Sequence, residues 1–517
     1  MTNAVFYSVC PYGTGTIETG DGTIEITSGV ATLSVAQTGN IGAGVCIEYN
    51  SLECWIAPNR IAFTSGGTTE LLTGTKIEGG TSGATGIVRA IEVTSGTWAG
   101  GDAAGWIYFE STTGTWNSSE QINRTKPTSS TNIATTNGSL EGNIGDGNTE
   151  FVVKSATGGA ASNQTSTSVT SVHHEWASLA DFETYFIDSS HINNTSLVSA
   201  DVVAYACCYY DHANPTTNPD DNAVTIDFGA TGADNYLQIY TPVGEAESIN
   251  SQRHDGEWNT NKYYLSIATS DEIIDIKEDY VWVDGPQFYR TSNDVDAVGD
   301  IEVSGQNALN KIRISNCIIK KVDGTVGAGM KIGDTEAIVT IWNTIIYVDG
   351  AGNTSYSEGI LNSNSTSTDI YNCIISGFDD GIERDGGTII VKNSAVFNKS
   401  DNSEFDGTLT VDYCAYDGNV DGTPTITNSI LWENGATDWN NVFTDYANED
   451  FSLKDYTAVG IAIIEQGTPL LTEGVWRDII GTERDTTNPD IGAFEYVSAG
   501  PSISIPVIMH HYRQQRL

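Results

Sequence analysis

Two neighbouring carboxylates, Asp379 and Asp380, stand in the run Gly377-Phe-Asp379-Asp380-Gly, and Glu383, Arg384 and Asp385 follow closely. Paired carboxylates cleave glycosidic bonds when their separation in space is right, one as acid and the other as base or nucleophile. Carboxylates that hold calcium beside an arginine base would instead suit elimination from an acidic sugar. Asp379, Asp380, Glu383 and Arg384 are therefore the catalytic candidates. Against them, Asp-Asp-Gly is an ordinary turn sequence, and no histidine lies between Lys262 and Ile508. Charged loop corners explain the cluster equally well, and the balance of residues weighs against catalysis.

Two other groups could do chemistry. His173-His174-Glu175 offers metal ligands, but it opens a run to Phe186 in which Trp176, Leu179, Phe182, Tyr185 and Phe186 recur at helical spacing. Ser178 and Asp181 can cap that helix. Adjacent residues on a helix do not face one another, so no metal site is expected. Trp98, Trp106 and Trp116, set among glycine-rich hairpins, could stack on sugar rings. In a stretch with few other large side chains they also serve as core.

The elements that would position these groups come from one repeated pattern. It reads Ile312-Arg-Ile-Ser-Asn316-Cys, Val339-Thr-Ile-Trp-Asn343-Thr, Thr368-Asp-Ile-Tyr-Asn372-Cys, Ile389-Ile-Val-Lys-Asn393-Ser, Leu409-Thr-Val-Asp-Tyr413-Cys and Pro424-Thr-Ile-Thr-Asn428-Ser. Each copy is a strand with a branched apolar residue two positions before the Asn slot, hence on the same face. Units of this size cannot bury an apolar face alone and must stack into a solenoid. Stacking sets Asn316, Asn343, Asn372, Asn393 and Asn428 above one another as a structural ladder of amide hydrogen bonds. The small residue after each slot suits a tight corner.

At this point the sequence resembles the right-handed parallel β-helix proteins of the pectate-lyase-like superfamily. Asp478-Ile-Ile-Gly481-Thr-Glu-Arg484 and Asp490-Ile-Gly-Ala-Phe-Glu-Tyr496 look like the closing motif of such solenoids, so the resemblance spans roughly 172–497. It implies an all-β fold, a β-helix with an N-terminal small β module and a capping helix. The hydrolases of this superfamily add Asn-Thr-Asp, Gly-His-Gly and Arg-Ile-Lys elements to a Gly-x-Asp-Asp element, and only the last has a counterpart here.

Composition narrows the partners. The formal net charge is −44, which repels nucleic acid and anionic membrane. The many carboxylates could attract calcium, although a solvated acidic coat accounts for them, and no other cofactor is expected. Eight cysteines without a Cys-x-x-Cys pair read as free thiols of a reducing cytoplasm. No signal peptide and no membrane span are expected.

The chain divides into an N-terminal β module or cap (1–68), a glycine-rich hairpin module (69–150), the capping helix and first coils (151–290), the ladder coils (291–497) and a tail (498–517). The hairpin module, with Ser-Gly-Ala-Thr-Gly ahead of a strand, resembles a module of bacteriophage structural proteins. The tail has no acidic residue, and Ile505, Val507, Met509, Tyr512, Arg513 and Arg516 make it a docking peptide for another subunit. Together these resemblances imply a virion component made in the host cytoplasm: a tail spike, fibre or capsid decoration among other virion subunits. Spikes of this fold are commonly homotrimers, and a host surface glycan would be the external partner. A polysaccharide depolymerase (lyase or hydrolase) and a bacterial surface adhesin are the alternatives.

Overall fold

A computed structural model describes residues 2–11, 16–19, 22–145, 147–210, 219–244, 246–291, 299–305, 311–322, 327–349, 357–397, 403–455, 460 and 462–497. The docking tail expected at 498–517, with Ile505 to Arg516, lies outside them.

Alternating branched apolar residues make each repeat a strand, and these strands build three long parallel faces. The first is ten-stranded and runs from Asn3–Val9 through Val202–Cys208, Leu237–Tyr240 and Val281–Asp284 to the repeat strands Lys311–Ser315, Ile338–Trp342, Ser367–Tyr371, Ile389–Lys392, Thr410–Asp412 and Thr425–Thr427. An eight-stranded second face runs from Tyr264–Ile267 to Ile430–Leu431, and a seven-stranded third face from Val224–Ile226 to Phe405–Asp406. In register, Ile314, Ile341, Ile370 and Val391 stack inward and are wholly buried. The protein is all-β and its body is a parallel β-helix, as expected.

The slot residues form the corner between the first and second faces. Asn316, Asn343, Asn372, Asn393, Tyr413 and Asn428 all adopt left-handed backbone, with φ between 49° and 54°. Asn tolerates that region better than other non-glycine residues, so backbone conformation accounts for the repeat more fully than side-chain bonding does. The expected continuous ladder is only partial. Asn343 donates to Asn316 Oδ1 at 3.1 Å, but Asn393 exchanges hydrogen bonds with the backbone of Thr468, and Asn428 donates to Asp412. Cys317, Cys373 and Cys414 occupy the corner as buried, unpaired thiols.

The start differs from the sequence-based division. Strand Asn3–Val9 pairs in parallel along its whole length with Val202–Cys208, so the chain's first strand is already part of the solenoid. Between these strands lie a seven-stranded antiparallel sheet, drawn from Thr16–Thr19 to Ala57 and from Asn148–Lys154 and Gln164–His173, and a closed six-stranded barrel from Arg60–Gly66 to Ser130–Thr136. Boundaries at 68 and 150 cut across both. The helix is also shorter than its spacing suggested: it spans Leu179–Tyr185, with Ser178 accepting from the Asp181 amide. Leu179, Phe182, Phe186 and Trp176 cover the first coils. At the far end, Ile463, Ile479, Ile491 and Phe494 fold back over the outside of the second face against Ile318, Ile345 and Ile374.

Candidate functional site

The barrel does not stand clear of the solenoid. A cleft of about 1570 Å³ separates it from the first face, and the returning C-terminal segment closes one side. Parallel pairing keeps the outward side chains of the first face in rows. Trp282 and Trp342 emerge there with ring centroids 5.8 Å apart, and the Arg313 guanidinium lies 5.7 Å from the Trp282 ring. Trp98 of the barrel and Trp476 of the C-terminal segment, with Tyr205, Tyr236 and Tyr280, add to the aromatic lining.

Six charged groups at and beneath the cleft wall form one chain across four segments. Arg89, on barrel strand Thr85–Ser95, contacts Glu110, Glu247 and Asp284. Asp284 ends a solenoid strand and also binds Arg253 at 2.8 Å and the Asn316 amide at 2.7 Å. Glu110 receives Arg477 through both guanidinium nitrogens. Three arginines thus face three carboxylates, all largely buried at the cleft wall except Arg477, whose side chain is 20% exposed. Burial alone would raise the Glu110 carboxyl, yet Arg477 and Arg89 bring it down to about 2. Against the same burial, Arg253 and Arg89 hold Asp284 well below the usual carboxylate range. Burial wins at Glu247, which Arg89 does not fully offset and which sits at about 7. His254 is kept neutral at about 3 by burial and by Arg253. Glu110 and Asp284 therefore line the cleft as fixed anions, and Arg89, Arg253 and Arg477 as fixed donors.

The sequence candidates lie elsewhere. Asp380, Glu383 and Arg384 belong to the third-face strand Asp380–Arg384, and neither they nor Asp379 line the cleft. Asp380 pairs in register with Glu358, and Glu383 with Asp406, so acids stack on acids. Burial and then Asp379 raise Asp380 to about 6, and burial and then Glu358 raise Glu383 to about 7. The Arg384 Nε donates to the Gly387 carbonyl at 2.7 Å. Trp98 stacks on Phe63 and Trp116 on Phe109 inside the barrel, while Trp106 lies under the Arg60 guanidinium at 3.7 Å. Of the three, only Trp98 reaches the cleft.

Sequence reasoning missed the ionic chain because its members are scattered from Arg89 to Arg477 and share no motif. The one usable signal was a set of isolated arginines in a chain with few basic residues. Trp342 was visible as an outward position of the repeat, whereas Trp282 lies on a strand ahead of its first copy.

No family model matches the chain, and no curated protein matches it. Among solved structures, the crystal structure of pectate lyase Pel9A is similar, at 14% identity over 57% of this chain and 88% of that chain, with a TM-score of 0.31. That neighbour is an enzyme, which stands in tension with the weighting against catalysis drawn from the sequence. A likeness of this size concerns the fold and carries no residue's role across.

Proposed function

We propose that the protein holds an extended glycan chain in the cleft between barrel and first face, and does so as a rigid rod on the surface of a tailed bacteriophage particle. The observation that carries the glycan reading is the lining: Trp282 and Trp342 side by side, flanked by charged donors and acceptors already locked in place. Sugar rings offer C–H faces to aromatics and hydroxyls to charged groups. The cleft is larger than usual small-molecule sites of about 300–1,000 Å³, which suits several linked rings. A protein with a net charge of −44 repels polyanions at long range, so the chain is neutral or weakly acidic. The particle setting is supported by the phage-like glycine-rich module and the acid-free tail of the sequence.

Binding to a panel of neutral and weakly acidic polysaccharides, followed by Trp282→Ala and Trp342→Ala, tests the glycan reading. A loss of about tenfold in affinity for each, near 1.4 kcal/mol, is expected. Undiminished binding by both variants would remove the cleft from consideration. Immunogold labelling of purified particles tests the setting, and unlabelled particles would refute it.

A second reading, cleavage of the bound chain, is favoured by Glu110 and Asp284, ionised carboxylates lining the cleft that can serve as base or nucleophile, the proton for the leaving oxygen coming from solvent. New reducing ends that appear with the wild type and vanish in Glu110→Gln, with folding checked by circular dichroism, would support it. Intact polysaccharide after prolonged incubation would rule it out.

A further inference from the structure

The joint between the antiparallel sheet and the solenoid holds a second, unrelated group of side chains. Cys46 pairs directly with His173 across neighbouring antiparallel strands, and with Trp55 on its other side. Directly opposite residues project to the same face of a sheet, so Trp55, Cys46 and His173 form a row. The alternate row, Ile47, Cys54 and Val172, turns into the core of the antiparallel sheet. Glu175 follows His173 by two residues, past the end of the strand, and its carboxylate comes back beside the row. The helix that argued against a shared face begins only at Leu179. One donor atom from each of Cys46, His173 and Glu175 lies within 4.8 Å of the others.

We propose that Cys46, His173 and Glu175 bind a divalent transition-metal ion of the zinc type. Donors around a tetrahedral zinc ion at about 2.0–2.3 Å stand roughly 3.3–3.8 Å apart, so closing the site takes about 1 Å of side-chain movement. Thiolate, imidazole and carboxylate together select zinc or cobalt over calcium or magnesium, which prefer oxygen alone. Two anionic ligands balance a dication, leaving a neutral centre in a mostly buried place. Three protein ligands leave the fourth position to water.

The surroundings orient His173 and Glu175 as a metal needs them, and Cys46 gives up its proton on binding. Ser171 Oγ donates its one proton to Glu48 and therefore accepts at 3.1 Å from Nδ1–H of His173. That fixes the tautomer with the Nε2 lone pair free for a ligand bond. The Glu175 carboxylate is oriented by Trp55 Nε1 at 2.8 Å and by His191 Nε2 at 3.1 Å, and His191 in turn is held by Asp188 at 2.7 Å. Cys46 is wholly buried, whereas His173 and Glu175 are partly exposed and give the ion a way in. The backbone just beyond is tied to the first strand, with Trp176 donating to the Ser8 carbonyl and Cys10 to the Trp176 carbonyl. A bound ion would thus fasten the antiparallel sheet to the entry of the solenoid.

The full-length protein, stripped with a chelator, is titrated with cobalt and with zinc. One equivalent of cobalt per chain is expected, with a thiolate-to-cobalt charge-transfer band, and zinc should displace it and raise Tm. Cys46→Ala should abolish the band. His173→Gln, at a partly exposed position that leaves the fold intact, should weaken cobalt binding at least tenfold. Stoichiometric binding without a thiolate band, or a band unchanged by His173→Gln in a folded protein, would overturn the proposal. Neither result bears on the glycan cleft.

Discussion

Arg89 of the barrel and Asp284 of the solenoid face each other at 3.4 Å, with side chains 1% and 5% exposed. They lie 195 residues apart in sequence and belong to sheets that share no strand. Arg253 joins the pair from a loop, and Arg477 joins through Glu110 from the C-terminal segment. Such a network stabilises less through its net attraction than through the cost of leaving any one member buried alone. Its effect is to fix how the barrel sits on the solenoid, and hence the width of the cleft.

Arg89→Met is the sharpest test of that relationship. It strands Glu247 beside Glu110 and Asp284, which keep only Arg477 and Arg253 as cationic partners. The expected loss is about 3–5 kcal/mol, read from urea unfolding at neutral pH. Arg89→Met with Glu247→Gln should recover part of it, because one stranded charge is removed. A single variant that unfolds at the wild-type midpoint would show that the network carries no mechanical role.

The acidic stripe of the third face predicts an unusual pH dependence. Asp380 at about 6 and Glu383 at about 7 are raised above ordinary carboxylates, by burial first and neighbouring acids second. A carboxyl with a raised folded value holds its proton more tightly when folded, so the stability it contributes is present below about pH 4. That contribution is lost as pH rises toward 7. Glu110 and Glu120, both at about 2, act oppositely: their contribution is present above about pH 4 and is lost as pH falls toward 2. Glu383→Gln should therefore raise Tm at pH 8 and leave it nearly unchanged at pH 4. Equal shifts at both pH values would mean that packing, and not charge, governs the stripe.

The solenoid was legible because its periodicity is local: an inward Ile or Val two residues before each corner is enough to place a strand and its face. The cleft was not legible, because Arg89, Glu247, Asp284 and Arg477 meet only after a barrel is inserted between two strands of one sheet. The acidic run at 379–385 drew attention through its density of charge, yet its strand belongs to the third face. The reading of His173 to Glu175 as helix followed from the spacing of Trp176, Leu179 and Phe182. That spacing fits Trp176 equally well as a bridge residue beside Val9, which is where it lies. Local pattern fixes local structure, and pairings across more than a hundred residues decide the site.

The corner residues separate two reasons for an asparagine. Asn343 is tied in: it donates to Asn316 and to the Arg477 carbonyl, and its Oδ1 accepts from Arg484 at 3.1 Å. Asn372 is wholly buried, yet neither its Oδ1 nor its Nδ2 finds a hydrogen-bond partner among the described residues. Both have φ near 50°, where most non-glycine residues are strained by about 1–2 kcal/mol and Asn by less. Asn343→Gly should be destabilising, since it removes the donor to Asn316 Oδ1 and to the Arg477 carbonyl together with one of the acceptors around Arg484, at a cost of about 1–3 kcal/mol. Asn372→Gly should be neutral or stabilising, because it relieves the backbone and removes two unsatisfied polar atoms at once. Thermal unfolding of the two variants side by side checks this. Equal losses would mean that the corner asparagines act through bonding in every coil and not through their backbone conformation.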